Sequence, residues 1–103
     1  MNVWLDDERP MPEHYHLHVK TADEAIAALK TGNVDRLAFD HDLGAEKTGY
    51  DVAKWIEEAV VSGELKELPR FSIHTANPVG RVNICRALQS ATKLFKEKQD
   101  AAH

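Results

Sequence analysis

The chain has 103 residues, of which 13 are Lys or Arg and 17 are Asp or Glu, a formal charge of −4. That length fits one domain, and the acidic balance excludes a general nucleic-acid coat, which needs a basic field to displace counterions. A composition that is 43% hydrophobic and 29% charged is globular rather than disordered. The single Cys85 excludes an internal disulfide and a cysteine-rich zinc site. No run approaches the about 20 apolar residues of a membrane span, and MNVWLDDERP lacks the pattern of a signal peptide. A soluble, cytoplasmic, single-domain chain spanning 1–103 is the expectation.

Asn2–Leu5 is a short apolar run that stops at Asp6, Asp7, Glu8, Arg9 and Pro10. It reads as a buried strand ending in a charged loop. Residues 14–19, HYHLHV, alternate with period 2 and predict a second strand. On it His14, His16 and His18 share one face, read as the wetted side of an edge strand rather than a metal site. Thr21 and Glu24 form a capping box, after which Ala22, Ala25, Ile26 and Leu29 make one helical stripe that Gly32 ends. Residues 36–40, RLAFD, form a third apolar run that ends on Asp40.

The loop HDLGAEKTG follows, and Thr48 with Asp51 caps the next helix. Val52, Trp55, Ile56 and Ala59 form its apolar face, and Gly63 stops it. Residues 71–75, FSIHT, predict a last strand. Asn77 suits an N-cap and Pro78 the first helical position. The final helix would turn Val82, Cys85, Leu88, Ala91 and Phe95 inward. Trp4 and Trp55 read as core, and Cys85 as a small buried hydrophobe.

Strands and helices alternate, which predicts an α/β fold with a mostly parallel sheet. Ligands bind such sheets outside the carboxyl ends of the strands. Asp6 and Asp7 lie at one such end, Asp40, His41 and Asp42 at another, and His74 at the last. Three polar clusters from distant segments should therefore meet at one rim. Each pair of carboxylates 4 Å apart costs about 1 kcal/mol in water and about 4 kcal/mol at an effective dielectric near 20. A divalent cation, a raised carboxylate pKa, or pairing with Arg9 would offset the repulsion. Oxygen donors such as Asp6, Asp7, Asp40 and Asp42 suit Mg²⁺ or Mn²⁺.

His41 and His74 each adjoin a strand end and are candidates for proton transfer on a phosphodiester. The NPVGR turn supplies free N–H groups at a helix start, an approachable Gly80 and the Arg81 fork, all suited to phosphate.

The blocks WLDDERPMP, FDHDLG, TGYDVAKWI and SIHTANPVGR together resemble the cyclic-phosphate processing receiver-like domains. These are small relatives of response-regulator receivers, often encoded in phage and bacterial genomes. The resemblance covers most of the chain, from Trp4 to Arg81. It implies a receiver-like, flavodoxin-type three-layer fold, truncated relative to a true receiver. It also implies a role in opening cyclic phosphates, such as RNA 2′,3′-cyclic ends or the ADP-ribose cyclic phosphate left by RNA repair. By position, Asp6 and Asp7 match the receivers' acidic metal-binding pair and Asp40 the phosphoacceptor. His41, Asp42, His74, Asn77 and Arg81 belong to the blocks that distinguish the family. The usual first helix is missing, and no later strand remains to carry the receivers' lysine.

The expected function is therefore a metal-assisted phosphoesterase acting on a small cyclic phosphate. His41, His74 and Asp40 would be its catalytic residues, and Asn77, Gly80, Arg81 and Arg9 its phosphate grip. A cyclic-phosphate or nucleotide binding module without turnover is the alternative, and a degenerate signalling receiver the third reading. Small nucleotide ligands and RNA ends are the expected partners, with no membrane.

Overall fold

The computed structural model describes residues 1–101. Four strands and three helices follow one another in these residues: β1 (Asn2–Leu5), β2 (Leu17–Val19), α1 (Ala22–Lys30), β3 (Arg36–Phe39), α2 (Gly49–Ser62), β4 (Arg70–Ile73) and α3 (Pro78–Ala101). The strands form one sheet in the order β2-β1-β3-β4, and every pairing is parallel. This is the receiver-like, flavodoxin-type α/β architecture. The chain turns left from β1 to β2, then right past β1 to β3 and β4. The strand order reverses at β1 and β3, the place where open α/β sheets bind ligands.

Side-chain alternation along the strands sets the layers. Val3 and Leu5 of β1 sit in register with Leu37 and Phe39 of β3, and all four are fully buried. They share one core with Leu29 of α1, Val52 and Ile56 of α2, and Ile84 and Leu88 of α3. All three helices therefore cover the same face, so the domain has two layers rather than the expected three, because the helix that would cover the other face is missing. The opposite face carries Asn2, Trp4, Arg36, Ala38, Arg70 and Ser72 in cross-strand rows. Its cover is thin and comes from segment 6–16, where a helix is missing as the sequence predicts. Tyr15 is buried there, with its ring 5.2 Å from that of Trp4.

The caps follow local chemistry. Thr21 accepts a hydrogen bond from the Glu24 N–H. Thr48 and Asp51 complete a reciprocal capping box. Gly63 ends α2 at φ 82°, where a Cβ would be strained.

Several boundaries differ from expectation. The second strand begins at Leu17 rather than at 14. A turn closed by the Tyr15 N–H on the Pro12 carbonyl occupies the first part of the alternating run, and Tyr15 folds inward. β4 spans Arg70–Ile73, so His74 and Thr75 lie beyond it. The buried stripe of α3 is Gly80, Ile84, Ala87, Leu88 and Ala91. Val82 is 46% exposed and Cys85 only half-buried, because no strand beyond β4 covers that flank among the described residues. Trp55 is also half-buried, with the Lys30 ammonium 6.0 Å above its ring. No helix of the described residues is long and apolar enough to cross a membrane.

Candidate functional site

The sheet ladder runs one residue past β1, β3 and β4. The Asp6 N–H donates to Val19, the Asp40 N–H to Leu5 and the His74 N–H to Phe39, at 3.1, 2.9 and 2.9 Å. The same alternation that points Leu5, Phe39 and the partly buried Ile73 to the helix side turns Asp6, Asp40 and His74 toward the other. Three clusters distant in the chain are thus fixed at one rim by backbone geometry. One carboxylate oxygen from each of Asp6, Asp7 and Asp40 lies within 4.8 Å of the other two. No ion pair joins these carboxylates to a Lys or Arg among the described residues. Hard oxygen donors so grouped are the kind that Mg²⁺ and Mn²⁺ take.

Asp6 is fully buried. Its Oδ1 accepts the Glu8 and Arg9 N–H groups, each at 2.8 Å, which closes the loop after β1. Its Oδ2 meets Nε2 of His74 at 3.0 Å. Burial pushes the Asp6 carboxyl up, but the two backbone donors and the His74 ring outweigh it and hold the carboxyl below its ordinary range. Asp40 Oδ1 accepts the His41 N–H at 2.8 Å. Gly44, at φ 63°, brings the 41–47 loop so near that a Cβ there would stand 2.8 Å from Asp7 Oδ2.

These groups line a hollow of about 310 Å³, with Arg9, Asp42 and Thr75 on its walls. The volume is at the lower end for small-molecule sites. Asp42 stands outside the close trio. It pairs with His41 Nδ1 at 2.9 Å and lies 3.5 Å from Asn77 Nδ2. The His41 ring holds its carboxyl below the usual range.

The two histidines do not face each other across this hollow, and neither lines it. The His74 ring lies flat against Trp4, with centroids 3.9 Å apart and planes 5° apart. Trp4 is therefore a half-buried wall behind His74 rather than core. It donates from Nε1 to the Arg9 carbonyl at 3.3 Å. Burial lowers the His74 pKa from 6.5, against the opposing pull of Asp6. His74 is then neutral at pH 7, Nε2–H donates to Asp6, and Nδ1 is buried without a partner. The His41 ring packs on Gly80, where a Cβ would lie 2.3 Å from its Cγ.

The expected phosphate grip is dispersed. Asn77 Oδ1 accepts the Gly80 N–H at 2.9 Å, so the start of α3 is already capped by its own side chain. Arg81 Nη2 donates to the Ile73 carbonyl at 3.0 Å, away from the acids. Arg9 lines the hollow, and its guanidinium donates to the His74 carbonyl. His16 Nδ1 accepts the Asn2 N–H, and His18 Nε2 lies 2.7 Å from the Asp6 carbonyl, so the edge histidines are hydrogen-bonded separately.

Sequence reasoning missed Thr75. It is 7% exposed, lines the hollow and accepts the Asn77 N–H. Its signal was a hydroxyl at the carboxyl end of the last apolar run, there counted as strand.

The model of the cyclic-phosphate processing receiver domain matches residues 1–90. The chain belongs to this family. The match takes in all four strands, the acidic trio, both rim histidines and the first half of α3. Neither the curated proteins nor the solved structures compared with this receiver domain give a match.

Two predictions arise here. The folded pKa of His74 lies below its unfolded value of 6.5, so the unfolded chain takes the proton first as pH falls. Stability from this group is present above about pH 6.5 and is lost below it. Urea melts at pH 7 and pH 5 should show this loss, and His74→Gln should reduce the difference. Gly80→Ala should cost about 1–3 kcal/mol through its clash with the His41 ring. In His41→Ala/Gly80→Ala that penalty should vanish, leaving a coupling energy above about 1 kcal/mol in a double-mutant cycle.

Proposed function

We propose that this receiver domain opens a small cyclic phosphate ester, an RNA 2′,3′-cyclic end or an ADP-ribose cyclic phosphate. Asp6, Asp7 and Asp40 would hold a divalent cation, Mg²⁺ or Mn²⁺, in the hollow that Asp42 also lines. The observation that carries this reading is the convergence, at the switch point of the sheet, of three carboxylates that no Lys or Arg pairs with among the described residues. When bound, the cation supplies charge neutralisation of phosphoryl oxygens.

This chain's own residues divide the remaining work. Arg9 and Thr75, both lining the hollow, would contact phosphate oxygens with the guanidinium and the hydroxyl. Asn77 and Gly80 fix the loop that carries Thr75, the Asn77 side chain accepting the Gly80 N–H and the Asn77 N–H donating to Thr75. Arg81 ties α3 to the end of β4. The His41–Asp42 pair is the proton relay, because Asp42 reaches the hollow and His41 stands behind it. His74 orients the Asp6 carboxylate rather than touching substrate. In the reaction, water oxygen bonds to phosphorus and gives up a proton to the His41–Asp42 pair, one ester P–O bond breaks, and the leaving alkoxide oxygen takes a proton to become the free hydroxyl.

A phosphorus NMR time course with nucleoside 2′,3′-cyclic phosphates and ADP-ribose 1″,2″-cyclic phosphate tests this. A new monoester resonance in Mg²⁺ that is lost in chelator is the expected result. Cyclic signals that persist unchanged would refute turnover on these compounds. One observation favours the second reading, binding without turnover: both rim histidines stand outside the hollow and already hold aspartate partners. Calorimetric binding with the cyclic ligand recovered intact would select it.

A further inference from the structure

The flank of the sheet beyond β4 is chemically distinct from the acidic rim. The Arg70 and His74 N–H groups bond inward to Asp35 and Phe39. Alternation therefore turns the backbone groups of Phe71 and Ile73 outward. The Ile73 carbonyl is met by Arg81. The Phe71 N–H and C=O and the Ile73 N–H face the open edge, a ready template for another strand.

Beside that edge runs a groove of about 510 Å³. Ile73, Cys85, Leu88 and Thr92 form its floor, with Lys93 and Lys96 along its rim. The charge of this flank opposes that of the chain. Residues 78–96 of α3 carry Arg81, Arg86, Lys93 and Lys96 and no acid, in a protein of net charge −4. All four cations are exposed and none forms an ion pair among the described residues.

We infer that this edge binds an extended acidic segment of a partner protein, added to β4 as a fifth strand. Its backbone would pair with Phe71 and Ile73. Every second side chain of the segment would face α3: an apolar one would enter the groove beside Ile73, and acids two and four residues further along that same face, about 6.6 Å apart, would meet Lys93 and Lys96. Charge complementarity selects this occupant over a second copy of the chain. A two-fold pairing of β4 edges would set the acid-free stretch of α3 beside its own copy, cation against cation.

The probe is a fluorescein-labelled heptapeptide, Val-Thr-Ile-Thr-Glu-Thr-Glu, whose odd positions share one face, with a Lys-for-acid version as control. Anisotropy should show saturable binding of the acidic peptide alone, weakening as salt rises. Lys93→Glu/Lys96→Glu alters exposed side chains only and should reduce affinity at least tenfold, with the circular dichroism unchanged. Hydrogen exchange should show the Phe71 and Ile73 amides protected by the acidic peptide. Equal binding of both peptides, no binding, or binding untouched by the double variant would overturn the proposal. Protection of those amides that rises with protein concentration alone would overturn it in favour of self-pairing.

Discussion

Asp40→Asn is expected to abolish stabilisation by divalent cations while leaving the metal-free protein as stable as, or more stable than, the parent. The asparagine Oδ1 can still accept the His41 N–H that Asp40 now holds at 2.8 Å. The variant also removes one of three mutually repelling charges whose oxygens lie within 4.8 Å. In the parent, a cation at 100 times its dissociation constant adds about 2.7 kcal/mol. For a domain of this size that corresponds to a rise in Tm of roughly 10 °C or more. Thermal melts with Mg²⁺, with Mn²⁺ and with chelator read the difference directly. A rise that survives in Asp40→Asn would remove this carboxylate from the cation site. Asp6→Asn makes a sharper contrast, because its carboxylate also closes the loop after β1. It should lose cation binding and destabilise the metal-free fold as well.

The second large effect is expected at Gly49. α2 begins against the backbone that carries the acidic loop, and the Gly49 N–H donates to the His41 carbonyl at 2.9 Å. A Cβ on Gly49 would lie 2.0 Å from the Asp40 carbonyl oxygen and 3.2 Å from the His41 Cα. Backbone cannot swing aside as a side chain can. Gly49→Ala should therefore push Asp40 away from Asp6 and Asp7 or displace the start of α2. We expect a loss of about 3 kcal/mol and, since a 1 Å misplacement can cost about 100-fold in rate, a comparable fall in turnover. Gly32→Ala is the control. Gly32 sits at φ 76° with nothing within 4 Å of the added carbon. It should cost about 1–2 kcal/mol from the backbone alone and leave cation binding intact.

What the sequence disclosed was governed by local rules. Thr48 and Asp51 cap α2 because the reciprocal bonds need only residues three apart. The acids after β1 and β3 converge because parallel strands in any doubly wound sheet end at the same rim. The misread features depend on partners far along the chain. His74 reaches Asp6 across 68 positions, and no local pattern shows that its ring is spent on that carboxylate. His41 wedges against Gly80 for a reason that appears only when α3 docks. The stripe on α3 was misphased for a related cause. Val82 and Cys85 fall at apolar spacings beside Ile84 and Leu88, but they lie on the flank beyond β4 where no strand packs on them. The alternating run 14–19 resembles a full strand, yet Tyr15 uses its place in it to fill the helix-free face.

The central claim is that a cation held by Asp6, Asp7 and Asp40 meets the phosphate of a cyclic ester in the same hollow. Paramagnetic broadening of the ligand's phosphorus resonance by Mn²⁺ measures that meeting directly. A nucleoside 2′,3′-cyclic phosphate would be observed with sub-stoichiometric Mn²⁺, in the presence of the parent protein or of Asp40→Asn. The account predicts strong broadening with the parent, beyond that caused by free Mn²⁺, and none of this excess with the variant. Equal broadening with both proteins, or no excess with either, would contradict it.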